Sequence, residues 1–221
     1  MSLFVVQKRK THGEKIDNQI ASIHLFLSLN LFYMKINGRL IIFTLVLVAL
    51  ATACKYFFGP DLSWSGFSPV IAIALFSGMI IKQKNLSFIL PILALFISDA
   101  VIQFLYSQDL FPYAGFYSGQ WINYLILLAA TLIGWALKGR KYSSLFAGAL
   151  AAPTVFFLVS NFLVWTGSHI TYTKDFSGLM NCYEAGLPFY RNSLIATIVF
   201  LPVILFAYNY LTKKKAELKL A

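Results

Sequence analysis

The chain is 221 residues long, 59% hydrophobic and only 12% charged, with a mean hydropathy of +0.72. A soluble domain is about a quarter charged, so this chain lacks the polar surface to coat a globule, and its apolar surface is expected to meet lipid. Its net charge of +10 would suggest nucleic acid in a soluble protein, but here the cations flank apolar segments, where they set topology. Two cysteines, Cys54 and Cys182, imply neither a zinc cluster nor a disulfide framework.

Residues 1–33 mix Lys8, Arg9, Lys10 and Lys15 with an apolar run over 20–33 that contains His24 and Asn30. That run is too short and too polar to span a membrane and lacks a small-residue cleavage site. The segment reads as an extension outside the native protein, with Met34 as the expected start. An interfacial amphipathic helix is the alternative.

From there on the chain resolves into apolar runs. A spanning helix needs about 20 mostly apolar residues, and residues 40–58, 86–106, 121–137, 144–165 and 193–211 meet or approach that length, with 67–81 a shorter sixth. The runs are unbroken rather than alternating, which favours helices over barrel strands. Lys35 and Arg39 precede the first span, Lys82 and Lys84 separate the second from the third, Lys138, Arg140 and Lys141 separate the fourth from the fifth, and Lys213, Lys214, Lys215 and Lys219 follow the sixth. The other connections hold only Lys55, Lys174 and Arg191, eleven cations against three. Positive-inside logic puts both ends of residues 34–221 in the cytoplasm of a bacterial inner membrane.

The outward connections differ in kind. Residues 107–120 are rich in Phe and Tyr. In 166–190, Phe176, Leu179, Met180 and Tyr183 fall at a spacing that predicts a one-sided helix lying flat on the outer surface, with Asp175 as its cap. Trp121 and Trp165 fit an aromatic belt at the outer boundary. Ala49 with Ala53, and Ala147 with Ala151, are small-residue pairs that read as internal helix contacts.

Asp99 is the one acidic residue inside any predicted span, and a polar side chain at membrane depth needs a reason. Gln103 follows one turn on, on the same face. Asn123, Ser160 with Asn161, and Arg191 with Asn192 fall at the same outer depth of their own spans, while the inner half is nearly all apolar. Such asymmetry predicts an outward-open polar pocket. Ser68-Pro69 reads as a helix start, with Ser68 as cap and free amides suited to an anion or carbonyl. Asp99 has two readings at this stage: a ligand for solute, or internal glue paired with Arg191 or with Asn and Gln neighbours. No H-E-x-x-H, Gly-x-Ser-x-Gly or P-loop is present, so no enzyme activity, metal site or cofactor is expected, and any ATP-driven step needs a partner.

Four strings carry a resemblance. They are Gly66-Phe67-Ser68-Pro69-Val70 continuing through Ala72 to Gly78; Ser98-Asp99; Ser160-Asn161-Phe162 with Val164-Trp165; and Cys182-Tyr183-Glu184-Ala185-Gly186-Leu187-Pro188-Phe189-Tyr190-Arg191-Asn192-Ser193. Over residues 40–211 the chain resembles an uncharacterised family of bacterial six-span membrane proteins, which is similar to the substrate-binding S components of energy-coupling factor transporters. The resemblance implies an all-α bundle of six transmembrane helices that captures a small-molecule solute for uptake. A transmembrane coupling subunit and ATPase subunits would drive it, and membrane lipid would be its remaining partner. The expected binding set is Asp99, Gln103, Asn123, Asn161, Tyr183, Arg191, Asn192 and Ser68, roofed by the helix over 175–186. The alternative is a non-transporting scaffold or envelope-biogenesis factor.

Overall fold

The computed structural model describes residues 38–137, 141–167 and 172–212. The extension over 1–33, Met34, Lys138, Arg140, His169 and the lysines from Lys213 onward lie outside the described residues. Those described form six α-helices: α1 (Gly38–Phe58), α2 (Val70–Ile80), α3 (Lys84–Ser107), α4 (Gln120–Leu137), α5 (Tyr142–Thr166) and α6 (Phe176–Thr212). All except α2 are long and apolar enough to cross a membrane.

At 11 residues, α2 is about 16 Å long, too short to cross a membrane alone and shorter than the span expected over 67–81. It is apolar all round, and such a helix belongs inside a bundle. Every residue from Val70 to Met79 is buried, and α3, α4, α5 and α6 pack around it. The crossing with α4 is made by two glycines. A Cβ on Gly78 would fall on the Thr131 carbonyl, and one on Gly134 on the Leu75 carbonyl. Helix α1 joins through Phe43, whose ring lies 5.6 Å from Phe76 and 5.4 Å from Tyr208.

In α3, Pro91 lacks an amide proton, which leaves the carbonyl four residues earlier, that of Ser87, without its helical donor. The Ser77 hydroxyl of α2 donates to that carbonyl at 2.7 Å, in a buried setting. The Ser87 hydroxyl in turn accepts from the Trp135 indole of α4 at 3.1 Å. A proline in one helix thus becomes a joint between three.

The expected surface helix over 175–186 is not separate. It runs into the last span as one helix of 37 residues through Pro188 and Pro202, about 55 Å long against a membrane core of about 30 Å. Asp175 does cap it, accepting from the Gly178 amide at 2.8 Å and the Thr173 hydroxyl at 2.7 Å. The helix continues because its first half packs on α5 rather than on a membrane surface. Tyr190 stacks on Phe157 at 4.8 Å and shares a 2.8 Å hydrogen bond with Thr154, and the Tyr183 hydroxyl donates to the Leu158 carbonyl at 3.1 Å. The buried residues on this half are Gly178, Cys182 and Gly186, while Phe176 and Met180 face outward. Cys54 and Cys182 are both free and buried.

Candidate functional site

The ends of α1, α3 and α5 and the starts of α4 and α6 lie at one end of the bundle. Asp99 is the centre of the best-formed group. It is 4% exposed, and all its partners are polar side chains from other helices. Lys55, in the last turn of α1, forms an ion pair with Oδ1. The Gln120 side-chain amide and the Tyr124 hydroxyl, one turn apart at the start of α4, donate to Oδ2, the latter at 2.6 Å. The pairing with Arg191 expected as one alternative is therefore not formed, and Lys55 takes its place.

The connection between α3 and α4 covers this group. Gly115 lies against the backbone of Asp99 and Gln103, so close that a Cβ there would meet the Asp99 carbonyl. Gln103 Oε1 accepts from the Phe116 amide and Gln120 Oε1 from the Tyr117 amide, both at 3.1 Å. Asn123 donates to the Tyr117 hydroxyl at 2.6 Å. Gln103 and Asn123, both expected to bond solute, are thus spent on the loop. Burial pushes the Tyr117 phenol up, an effect the Asn123 hydrogen bond opposes, and burial also raises Tyr113. Both stay neutral near physiological pH. The loop is bracketed by two residues in the left-handed region, Asp109 (φ 57°) and Gly119 (φ 81°), the residue types that tolerate it best.

The other expected binding residues fall elsewhere. Asn161 donates to the Phe157 carbonyl of its own helix at 2.9 Å and sits against Gly186. With Tyr183 it belongs to the α5–α6 contact. Asn192 is 3% exposed and donates to the carbonyls of Ser63 and Ser65 at 2.8 and 2.9 Å, pinning the α1–α2 connection. Arg191 is exposed and lines an open groove on α6 with Glu184, Leu187, Pro188, Tyr190 and Leu194. Ser68 does not cap α2. The residue preceding that helix is Pro69, which has no side-chain cap bond, and the Ser68 hydroxyl oxygen is buried without a hydrogen-bond partner among the described residues.

The structure therefore brings Asp99, Gln103 and Asn123 together and separates them from Asn161, Tyr183, Arg191, Asn192 and Ser68. Lys55, Gln120 and Tyr124 were missed. Lys55 carried a signal, being a cation in a set of connections otherwise almost free of them. A second groove, of about 540 Å³, runs along α1 past Leu45, Ala49, Thr52, Ala53 and Tyr56 to Val101 of α3. Ala49 and Ala53 thus line an open surface rather than an internal contact. Asp99 lines neither groove. Among the described residues, no three His, Cys, Asp or Glu side chains are grouped to hold a metal ion.

Five helices able to cross a membrane, packed round a short buried one with an ion pair at one end, define an all-helical multi-pass membrane protein. The chain belongs to the family described as "Family of unknown function (DUF6580)", which matches residues 34–219. No curated protein and no solved structure matches it.

Proposed function

We propose that this protein is a solute-binding membrane subunit for uptake, and that its site is the Lys55–Asp99–Gln120–Tyr124 group beneath the loop over 108–119. The observation that carries this reading is the ion pair itself. Ionisable side chains at membrane depth are costly, face the bundle interior and mark solute or ion paths. Here one carboxylate, the one buried acidic side chain among the described residues, collects three donors from two neighbouring helices. The loop over 108–119, and not a surface helix, is the cover that opens for solute. The rows of Lys and Arg orient that loop to the outside of a bacterial inner membrane, with α2 and the irregular segment before it together completing a sixth crossing. The partners of this reading are those implied by the sequence resemblance to energy-coupling factor S components, a coupling subunit and ATPases.

A second reading, a membrane scaffold, draws on the open groove past Ala49 and Ala53, where small residues let another helix approach.

The test is small-molecule mass spectrometry of protein purified in its native lipid, wild type beside Asp99→Asn, with thermal melting across a library of amines, acids, sugars and vitamins. A solute that copurifies with the wild type, raises its melting temperature and is lost in Asp99→Asn is the expected result. If no compound binds, or if binding is indifferent to Asp99, the proposal fails. A helix-bearing partner captured through α1 would then favour the scaffold.

A further inference from the structure

The uptake reading leaves the solute's chemistry open, and the Asp99 group narrows it. We infer that the solute is a protonated primary amine with an apolar body, whose ammonium displaces the Lys55 ammonium and takes over its hydrogen bond to Asp99. The inference rests on the proposed capture function.

Charge is the first constraint. The site holds one carboxylate and one ammonium, on side chains that are 5% and 21% exposed. A buried ion pair is far costlier to break than to replace. An anion drawn to Lys55 would leave Asp99 without its counter-ion, and a neutral solute would separate the pair without compensation. A cation entering at Asp99 keeps the site neutral. Lys55 is the partner free to leave. It stands three residues from the end of α1, and a four-carbon stem there lets its ammonium reach the interface while the chain stays in apolar surroundings.

Hydrogen bonding is the second. Oδ2 is already held by the Gln120 amide and the Tyr124 hydroxyl, and Oδ1 takes one N–H from Lys55. The vacated position therefore asks for an N–H donor, which a quaternary ammonium lacks. A divalent metal ion asks for several oxygen ligands, whereas Gln120 Oε1 is committed to the Tyr117 amide and, among the described residues, Asp99 belongs to no group of three His, Cys, Asp or Glu side chains that could hold a metal ion.

The surroundings are the third. Tyr113 lies against Gly59, one turn past Lys55, and packs on Phe111 at 4.6 Å. Trp121 meets Tyr124 at 5.4 Å. Aromatic faces favour a cation and an apolar body together.

The experiment uses the full chain in lipid nanodiscs, with phenethylammonium and n-butylammonium as probes and tetramethylammonium and butyrate as controls, read by thermal melting and calorimetric titration. The two primary amines are expected to raise the melting temperature saturably in wild type, and the controls to leave it unchanged. Asp99→Asn should abolish the increase. Lys55→Met removes the resident competitor, so the apparent affinity for phenethylammonium should rise by about tenfold or more, the factor by which the vacant form is scarce in wild type. Should Lys55→Met fail to fold, the Lys55 Nζ resonance of ¹⁵N-lysine-labelled wild type gives the same information. It is expected to move from a buried to a solvated position as phenethylammonium binds. Butyrate binding, or amine binding that survives Asp99→Asn, overturns the inference. A different solute that binds through Asp99 while the amines do not would overturn the amine class and leave capture standing. No binding by any compound removes both.

Discussion

Lys55 and Asp99, 44 residues apart in the chain, form an ion pair between the last turn of α1 and the carboxyl-terminal half of α3. Removing either partner leaves the other's charge in a medium that solvates it poorly. Asp99→Asn and Lys55→Met are each expected to cost about 3 kcal/mol, while the double variant recovers most of the loss because no charge remains to be stranded. Reversible unfolding in mixed micelles measures the cycle. Additive single losses would show that the pair is not energetically coupled.

Ser77 and Pro91 form a second coupled pair. The Ser77 hydroxyl serves a carbonyl that only proline leaves vacant. Ser77→Ala should therefore cost about 1–3 kcal/mol. In a Pro91→Ala background the helix supplies its own donor, and the same change should cost about 1 kcal/mol or less. An equal loss in both backgrounds would mean that the hydroxyl matters for packing alone.

The long helices were legible because their apolar runs have one physical solution in lipid. The Asp175 cap was legible because an Asp side chain reaches an amide three residues on whatever else surrounds it. The course of α6 was not. The spacing of Phe176, Leu179, Met180 and Tyr183 was read as the apolar face of a helix lying flat on the outer surface. The structure turns Gly178, Cys182 and Gly186 inward and leaves Phe176 75% exposed. In lipid, large apolar groups gain nothing by leaving the surface, and small ones let helices approach. The partner of Asp99 failed to appear for another reason. Sequence gives the depth of a residue along its span, but not which spans are neighbours, so Arg191 was named as the partner and Lys55 was not.

Close backbone approach at the α2–α4 crossing makes its glycines intolerant. A Cβ at Gly134 meets the Leu75 carbonyl and lies 3.0 Å from both the Gly78 Cα and the Met79 amide nitrogen, none of them the flexible end of a side chain. Gly134→Ala is expected to destabilise by about 1–3 kcal/mol. At Gly38, where no atom of the described residues lies within 4 Å, the same substitution should be neutral or slightly stabilising. Melting temperatures of the two variants side by side decide it.

Asn192 ties the irregular segment before α2 to α6 through two carbonyls, and the Ser193 hydroxyl adds a third bond at 3.1 Å to the Gly66 carbonyl. Asn192→Asp places an acceptor where two carbonyl oxygens already face it, and should be worse than Asn192→Ala, which loses about 1–3 kcal/mol. Limited proteolysis between residues 59 and 69 reads the effect locally. Unchanged protection in Asn192→Asp would show that the segment is held without Asn192, by its aromatic contacts and the Ser193 bond.

Topology is the last expectation, and it tests the charge argument directly. Lys141 precedes α5 at the end of the bundle that carries Lys82 and Lys84, and Asp175 precedes α6 at the end that carries Asp99. Cations next to apolar spans are retained on the cytoplasmic side, so the first end should face in and the second out. A periplasm-active reporter fused after Lys141 is expected to be silent and one after Asp175 active. A reporter active only in the cytoplasm should show the opposite pair. The inverted pattern would place the loop over 108–119 inside the cell. The Asp99 group would then open toward the cytoplasm, and a role in capture from outside would no longer stand, whatever the group binds.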